Sequence, residues 1–337
     1  MADALFLDEA SVRQLVTMDD ALAAVEEVFA AQGRGGVYNV PRVRAPVKGG
    51  TLRITAAVLS YRGYYGVKVS STAVFHSNAG RMFCLYREAT GELCAVVQVF
   101  AMGALRTGAA SGIATKYLAN ADAAVLGVLG SGRQARTQVD AVCAVLPIRE
   151  IHVWSPREAS REAFCADVEN INKIKCLPAG TAEAAVRGAD VLITATTATA
   201  PVVHGAWLKP GVHINAIGAN FEHRRELDTA TVAAAKSIAT DDTEQVRYAS
   251  TDLAVPVAEG NLACDQVHSL GDVVAGKLKG RQSPVDVTLF KSLGVAIEDV
   301  ALAARAYEKA LQLGLGMTLP DLTRYDRRQN SWHLSRP

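Results

Sequence analysis

Val125-Leu-Gly-Val-Leu-Gly-Ser-Gly-Arg-Gln-Ala135 begins as an apolar run, turns on two glycines and continues into Arg136–Val145, a segment of helical periodicity. A strand that passes through Gly130-x-Gly132-x-x-Ala135 into a helix lets backbone N–H groups approach a pyrophosphate. The helix N-terminus then favours the negative charge. Alanine replaces the third glycine of the fingerprint, which the pattern permits. Glycines also make tight turns that hold nothing, so the match draws its force from the strand before it and the helix after it. Gly130, Gly132, Arg133, Gln134 and Ala135 are therefore the candidate dinucleotide contacts.

The rhythm on both sides of this turn supports the reading. Ala123–Leu129, Glu150–Ser155, Val191–Thr196, Val212–Gly218, Ser237–Thr240 and Val287–Lys291 are apolar runs separated by helical stretches. That is the pattern of a parallel sheet covered on both faces. A last helix is expected from about Val295 to Leu313, stopped by Gly314. Upstream the pattern differs. Thr17-Met-Asp-Asp20 reads as a variant capping box for a first helix that ends at Gly33. Thr51–Val58, Gly63–Ser70, Met82–Tyr86 and Cys94–Phe100 then read as short strands, with turns at Gly49-Gly50, Asn78-Ala-Gly80 and Thr90-Gly91. A helix follows over Leu105–Leu118. The fold class expected is α/β: a Rossmann-type doubly wound parallel sheet plus an α+β substrate-binding and dimerisation domain. Residues 1–119 with about 315–337 would form the latter, and residues 120–314 the Rossmann domain. The polar closing segment, Thr318–Pro337, is expected to return to the first domain or lie on the surface.

Cofactor choice is read at the end of the second Rossmann strand, Ile151-His-Val-Trp-Ser-Pro-Arg157. A carboxylate there would accept hydrogen bonds from the ribose of NAD and repel a 2′-phosphate. Ser155 and Arg157 stand there instead, a small hydroxyl with a cation nearby, which suits NADP(H) in preference to NAD(H). Arg157 can equally be a solvated residue at the start of a helix.

Composition excludes several function classes. Lys and Arg total 35 against 34 Asp and Glu, a net charge of +1, so no basic surplus exists to hold nucleic acid. The 6 cysteines include no CxxC pair, which argues against zinc or a disulfide framework and fits a reducing cytosol. The acidic start lacks a signal-peptide pattern, and no apolar run of about 20 residues could span a bilayer. A cytoplasmic protein with no membrane or nucleic-acid partner is expected. Four cations border the Rossmann half: Arg42, Arg53, Lys68 and Arg106. Each alone reads as a surface charge. Lys68, between Val67 and Val69, must point away from both, toward solvent or a cleft.

Several longer segments are very similar to the ornithine cyclodeaminase/μ-crystallin family. Gly103-Ala-Leu-Arg-Thr-Gly-Ala-Ala-Ser-Gly-Ile-Ala-Thr-Lys-Tyr-Leu118 carries much of the resemblance. Thr194-Ala-Thr196, Gly211-x-His-Ile-Asn-Ala-Ile-Gly218, Arg225-Glu-Leu-Asp228 and Thr288-Leu-Phe-Lys-Ser-Leu-Gly294 carry the rest, in order, from about residue 5 to residue 315. The resemblance implies a homodimer that uses NAD(H) or NADP(H). It implies that Arg42 and Arg106 clamp a substrate carboxylate, a task suited to two guanidinium forks. It places Lys68 near the reacting C–N centre, where burial beside two arginines would lower its pKa toward a useful value. Leu293 is implied on the substrate side. Thr107, Thr196, Ile217, Gly218, Arg224 and Ser292 are implied on the cofactor side.

Two departures bear on the reaction. Where cyclodeaminases read a distal ammonium with glutamate, this chain has Arg53, which would repel one. Where they use an aspartate on the substrate amine, it has Asn220, which can orient a water or an imine but cannot act as a base. Phe83, where relatives carry threonine, would make one pocket wall bulkier. Both losses favour a substrate with one carboxylate and one small imine, reduced by NAD(P)H. Δ1-Pyrroline-2-carboxylate or a related cyclic ketimine fits. An ornithine cyclodeaminase, an alanine-type dehydrogenase and a crystallin-like binding protein with vestigial activity are the alternatives.

Overall fold

The computed structural model describes residues 4–71, 81–221, 223–246 and 250–320. The turn expected at 78–80 and residues 321–337 of the closing segment lie outside them. In chain order the first part runs β1 (Leu5–Leu7), α1 (Glu9–Leu15), α2 (Met18–Gly33), β2 (Tyr38–Val47), β3 (Gly50–Leu59), β4 (Tyr64–Ser71), β5 (Met82–Arg87), β6 (Leu93–Gln98) and α3 (Phe100–Leu118). The alternation begins with β7 (Val125–Leu129), α4 (Arg133–Val145), β8 (Glu150–Trp154), α5 (Glu158–Asn172), β9 (Lys175–Pro178), α6 (Ala182–Val186), β10 (Val191–Thr194) and β11 (His213–Ala216). It continues with α7 (Thr229–Ala234), β12 (Ala235–Thr240), α8 (Thr251–Ala258), β13 (Val267–Ser269), α9 (Leu270–Val274), β14 (Val287–Lys291), α10 (Ala296–Leu313) and β15 (Met317–Thr318).

Two sheets result. The second has eight strands in the order β13-β12-β14-β11-β10-β7-β8-β9, all parallel. The order reverses at β7, so the glycine turn leaves the sheet at a topological switch point, where open α/β sheets bind ligands. The first sheet has seven strands, β15-β1-β6-β5-β4-β3-β2, and β3 to β6 pair antiparallel. At its far edge, Thr318 and Met317 pair with Leu5 and Phe6.

Strand β2 is not among the strands named from the sequence, and it contains Pro41 and Pro46. It is the last strand of its sheet, and an edge tolerates residues without an N–H. Its register against β3 shifts between Val40 and Val43, so Arg42 sits on an irregularity of the kind that re-aims a side chain near a site. The capping box at Thr17 is present: Thr17 N–H donates to Asp20 Oδ2 at 3.0 Å, and Asp20 N–H donates to Thr17 Oγ1 at 3.2 Å.

Helix α10 differs from expectation in place rather than extent. It was grouped with the Rossmann half, yet it packs on β3, β4, α2 and α3, and its buried residues belong to the core of the first sheet. Its apolar residues cover the face that the first sheet turns inward. Helix α3 connects the halves. A Cβ on Gly108 would lie 2.4 Å from Thr137 O, and one on Gly112 would lie 3.1 Å from Ala141 O, so these glycines let α3 press on α4. That contact holds Arg106 and Thr107 beside the helix that the dinucleotide turn opens.

Candidate active site

A cleft of about 390 Å3 lies between the sheets, and fifteen of the nineteen candidate residues line it. Strands β3 and β4 build its floor. Arg53 is directly across from Ser70, and Thr55 from Lys68, so these four side chains share one face of the sheet. Lys68 therefore faces the cleft.

Below Lys68, the first turn of α10 carries two fully buried acids, Glu298 and Asp299. Lys68 Nζ donates to Asp299 Oδ2. Arg106 Nε donates to Asp299 Oδ1 at 3.1 Å, and its Nη1 donates to Glu298 Oε2 at 2.7 Å. Burial lowers the Lys68 pKa to about 8; Asp299 opposes the fall, while Arg106 and Arg42 add to it. Burial also works against charge on Arg106, but Asp299 and Glu298 outweigh it, so that guanidinium stays charged. Burial would raise Asp299 as well, yet Arg106 and Lys68 hold it below the usual carboxylate range. Glu298 is pushed up to about 8 by burial, against the pull of Arg106. Of the two acids, Asp299 is thus the firmly ionised one.

Arg106 is partly committed within the protein. Its Nε and Nη1 are held from below by α10, which fixes the guanidinium and leaves Nη2 without a bond among the described residues. Arg42 is similarly anchored, its Nη2 donating to Leu293 O at 2.8 Å and to Gly294 O, while Nη1 is buried without a partner. Leu293 therefore serves Arg42 through its carbonyl. Asp241, not singled out from sequence, fixes that loop by accepting from Leu293 N–H at 2.9 Å, Gly294 N–H at 2.7 Å and Ser292 Oγ at 3.1 Å.

On the Rossmann side, Thr107, Gly132, Arg133, Gln134, Thr196, Ile217, Gly218, Arg224 and Ser292 line the cleft with Asn220. The chain fits a dinucleotide there. Gly132 precedes α4 with no side-chain cap, and a Cβ built on it meets nothing within 4 Å. The first backbone N–H groups of α4 are thus left for a ligand. Arg133 stacks over the Phe100 ring at 3.5 Å, tying the start of α4 to that of α3.

Gly130, Ala135, Ser155 and Arg157 do not line this cleft. Gly130 makes the turn itself, at φ 110°, where a Cβ would lie 2.5 Å from Ala195 O. Ala135 is buried in α4. Ser131 Oγ donates to Ser155 Oγ at 2.9 Å at the end of β8, and Arg157 is exposed at the start of α5.

Glu226 lies within Arg225-Glu-Leu-Asp228 and has no role in the sequence reading. Its buried carboxylate accepts from Thr194 Oγ1 at 2.8 Å, Thr196 N–H at 2.6 Å and Thr196 Oγ1 at 2.8 Å. It also accepts from Gly218 N–H at 2.7 Å and Ala219 N–H at 3.2 Å, so one side chain ties together the two loops on the cofactor side. Phe221 was also missed. The guanidinium carbons of Arg44 and Arg53 lie 5.5 Å from its ring centre, and that of Arg224 lies 5.1 Å away. Phe83 is a correction: it lies across from Lys68 but is fully buried in the first core and forms no wall of the cleft.

A Rossmann sheet facing a floor of arginine and lysine defines a dinucleotide-dependent oxidoreductase. The chain belongs to the ornithine cyclodeaminase/mu-crystallin family, whose sequence model matches residues 2–314. It is similar to the solved Δ1-pyrroline-2-carboxylate reductase of Thermococcus litoralis in complex with NADH and L-proline. The TM-score is 0.89 at 34% identity, over 94% of this chain and 100% of that one. An archaeal alanine dehydrogenase dimer with bound NAD matches with TM-score 0.89 and 35% identity, over 95% of this chain and 100% of that one. The iminosuccinate reductase of Paracoccus denitrificans in complex with NAD+ matches with TM-score 0.89 and 29% identity, over 95% and 100%.

Proposed function

We propose that the protein is an NAD(P)H-dependent reductase of a small imino acid. It would reduce a C=N bond next to a carboxylate, such as that of Δ1-pyrroline-2-carboxylate or another cyclic ketimine, to the amino acid. The observation that carries this reading is the Lys68 ammonium, tuned by burial and Asp299 and set between Arg42 and Arg106.

Each residue then has a task. Arg42 and Arg106 would present their guanidinium groups to the carboxylate, and their anchored positions supply orientation. Lys68, with Asn220 holding a water or the imine nitrogen, keeps that nitrogen protonated so that the adjacent carbon is electrophilic. The bound cofactor supplies the hydride that this carbon accepts. Gly132, Arg133 and Gln134 would hold the pyrophosphate; Thr107, Thr196, Ile217, Gly218, Arg224 and Ser292 would flank the nicotinamide end. Ser155 and Arg157, standing where a carboxylate would select NAD(H), favour NADP(H). An alanine-type dehydrogenase is the second reading, supported by the archaeal relative.

The protein is further proposed to be a homodimer. The face of the first sheet turned away from α10 carries neighbouring apolar rows, Ala56-Val67-Cys84-Val96 and Val58-Tyr65-Tyr86, ready to pair with a second copy. Among the described residues no helix is long and apolar enough to cross a membrane. A cytoplasmic location remains the reading for this chain.

The test is oxidation of NADPH and NADH, each with Δ1-pyrroline-2-carboxylate and with pyruvate plus ammonium, on the full-length protein. Proline formation with cofactor consumption supports the reductase. Ammonium-dependent pyruvate reduction alone favours the dehydrogenase. Cofactor binding with no turnover of any imino acid would sink both.

A further inference from the structure

Arg53 occupies the floor of the cleft without a counter-ion among the described residues. Lys68 and Arg106 share Asp299, and Arg106 also has Glu298. Arg53 has no such partner, and its Nε is buried with no hydrogen bond. Thr55 Oγ1, on the same face of β3, is also buried and unpartnered. Burial lowers the Arg53 pKa to about 10, and the charges that add to the fall are all cations: Arg42, Arg81, Arg44 and Arg106. The ring of Phe221 beside it is a neutral neighbour. A buried guanidinium surrounded by like charge is costly unless an anion joins it. One carboxylate between Arg42 and Arg106 leaves that need unmet.

The strand register says where a second anion would sit. Arg53 is opposite Ser70, and Lys68 is opposite Thr55, so Arg53 and Lys68 occupy a diagonal of one sheet face. Diagonal positions lie about 7–8 Å apart at the backbone, and both side chains are long. An imine held at Lys68 therefore places a short acidic side chain within reach of Arg53, and one or two methylene groups suffice for the span.

We propose that the substrate is an imino acid with a second carboxylate on its side chain, and that Arg53 recognises this distal carboxylate. The inference rests on the imino-acid reductase reading and narrows its substrate class. The chemistry is unchanged: the imine carbon gains a hydride from NAD(P)H, its nitrogen keeps the proton, and the products are an acidic amino acid and NAD(P)+.

The test compares kcat/KM for oxaloacetate plus ammonium and 2-oxoglutarate plus ammonium with that for pyruvate plus ammonium and Δ1-pyrroline-2-carboxylate. Ammonium-free controls subtract reduction of the keto group. The wild-type protein is expected to favour an acidic imine. Arg53→Met is expected to lower kcat/KM for that imine by about 30-fold or more beyond its effect on the monocarboxylates, since one charge of a buried pair has been removed. Turnover of monocarboxylates alone, or an equal loss on both classes in Arg53→Met, overturns the proposal and leaves the reductase standing. No turnover of any imine removes the reductase reading and this proposal with it. If Arg53→Met does not fold, wild-type inhibition decides: succinate must compete about tenfold or more better than butyrate, and equal inhibition overturns the proposal.

Discussion

Lys68 on β4 donates to Asp299 on α10, a residue 231 positions later in the chain, and the same carboxylate accepts from Arg106 Nε at 3.1 Å. One buried aspartate thus positions both the proposed proton donor and a proposed carboxylate clamp. Lys68→Ala is expected to lower kcat by about 10²–10⁴-fold, the range for a general acid. Steady-state kinetics with a separate NADPH titration checks this. Turnover near the wild-type rate would remove Lys68 from its role.

The same pair sets a pH dependence. With a pKa of about 8, Lys68 is protonated below that pH and neutral above it, so imine reduction should fall as pH rises past about 8. Asp299 raises the Lys68 pKa, so Asp299→Asn should move this limb to lower pH. A kcat/KM profile measures both, and an unmoved limb in the variant would show that another group titrates.

Gly130 and Gly132 should separate folding from binding. Gly130→Ala puts a Cβ 2.5 Å from Ala195 O at φ 110°, and should cost about 1–3 kcal/mol of stability. Gly132→Ala meets nothing in the protein, so its melting point should hold while the cofactor dissociation constant rises about tenfold. Denaturant melts and cofactor titrations distinguish the two.

Glu226→Gln keeps the shape of the side chain but sets an amide group against donors from Thr194, Thr196, Gly218 and Ala219. A loss of about 2–4 kcal/mol is expected, with weaker cofactor binding, read by thermal unfolding and titration.

Arg157→Glu tests the cofactor preference. A carboxylate at the end of β8 should favour NADH over NADPH by about tenfold or more relative to wild type. An unchanged ratio would return Arg157 to the role of a solvated helix-start residue.

Much of the fold was legible because its signals are local. The capping box at Thr17, the stop at Gly314 and the strand–helix alternation each depend on neighbours a few residues apart. Strand β2 was not legible, because Pro41 and Pro46 are acceptable only at an edge, and edge position is a property of the whole sheet. Glu298 and Asp299 left a faint trace as two acids inside Val295-Ala-Ile-Glu-Asp-Val-Ala-Leu-Ala-Ala304, which reads as the charged first turn of an apolar helix.

Residues 125–135 determined by themselves that a strand would turn on glycine into a helix suited to a dinucleotide, since backbone conformation and helix-end polarity act over a few bonds. Only the tertiary structure decided what the cations do. Lys68, Arg53 and Arg106 carry the same kinds of charge in sequence. Packing of α10 on the first sheet places two with Asp299 and leaves Arg53 among other cations. Burial and charge separation, which set a pKa and a binding preference, exist only once residues from distant parts of the chain meet.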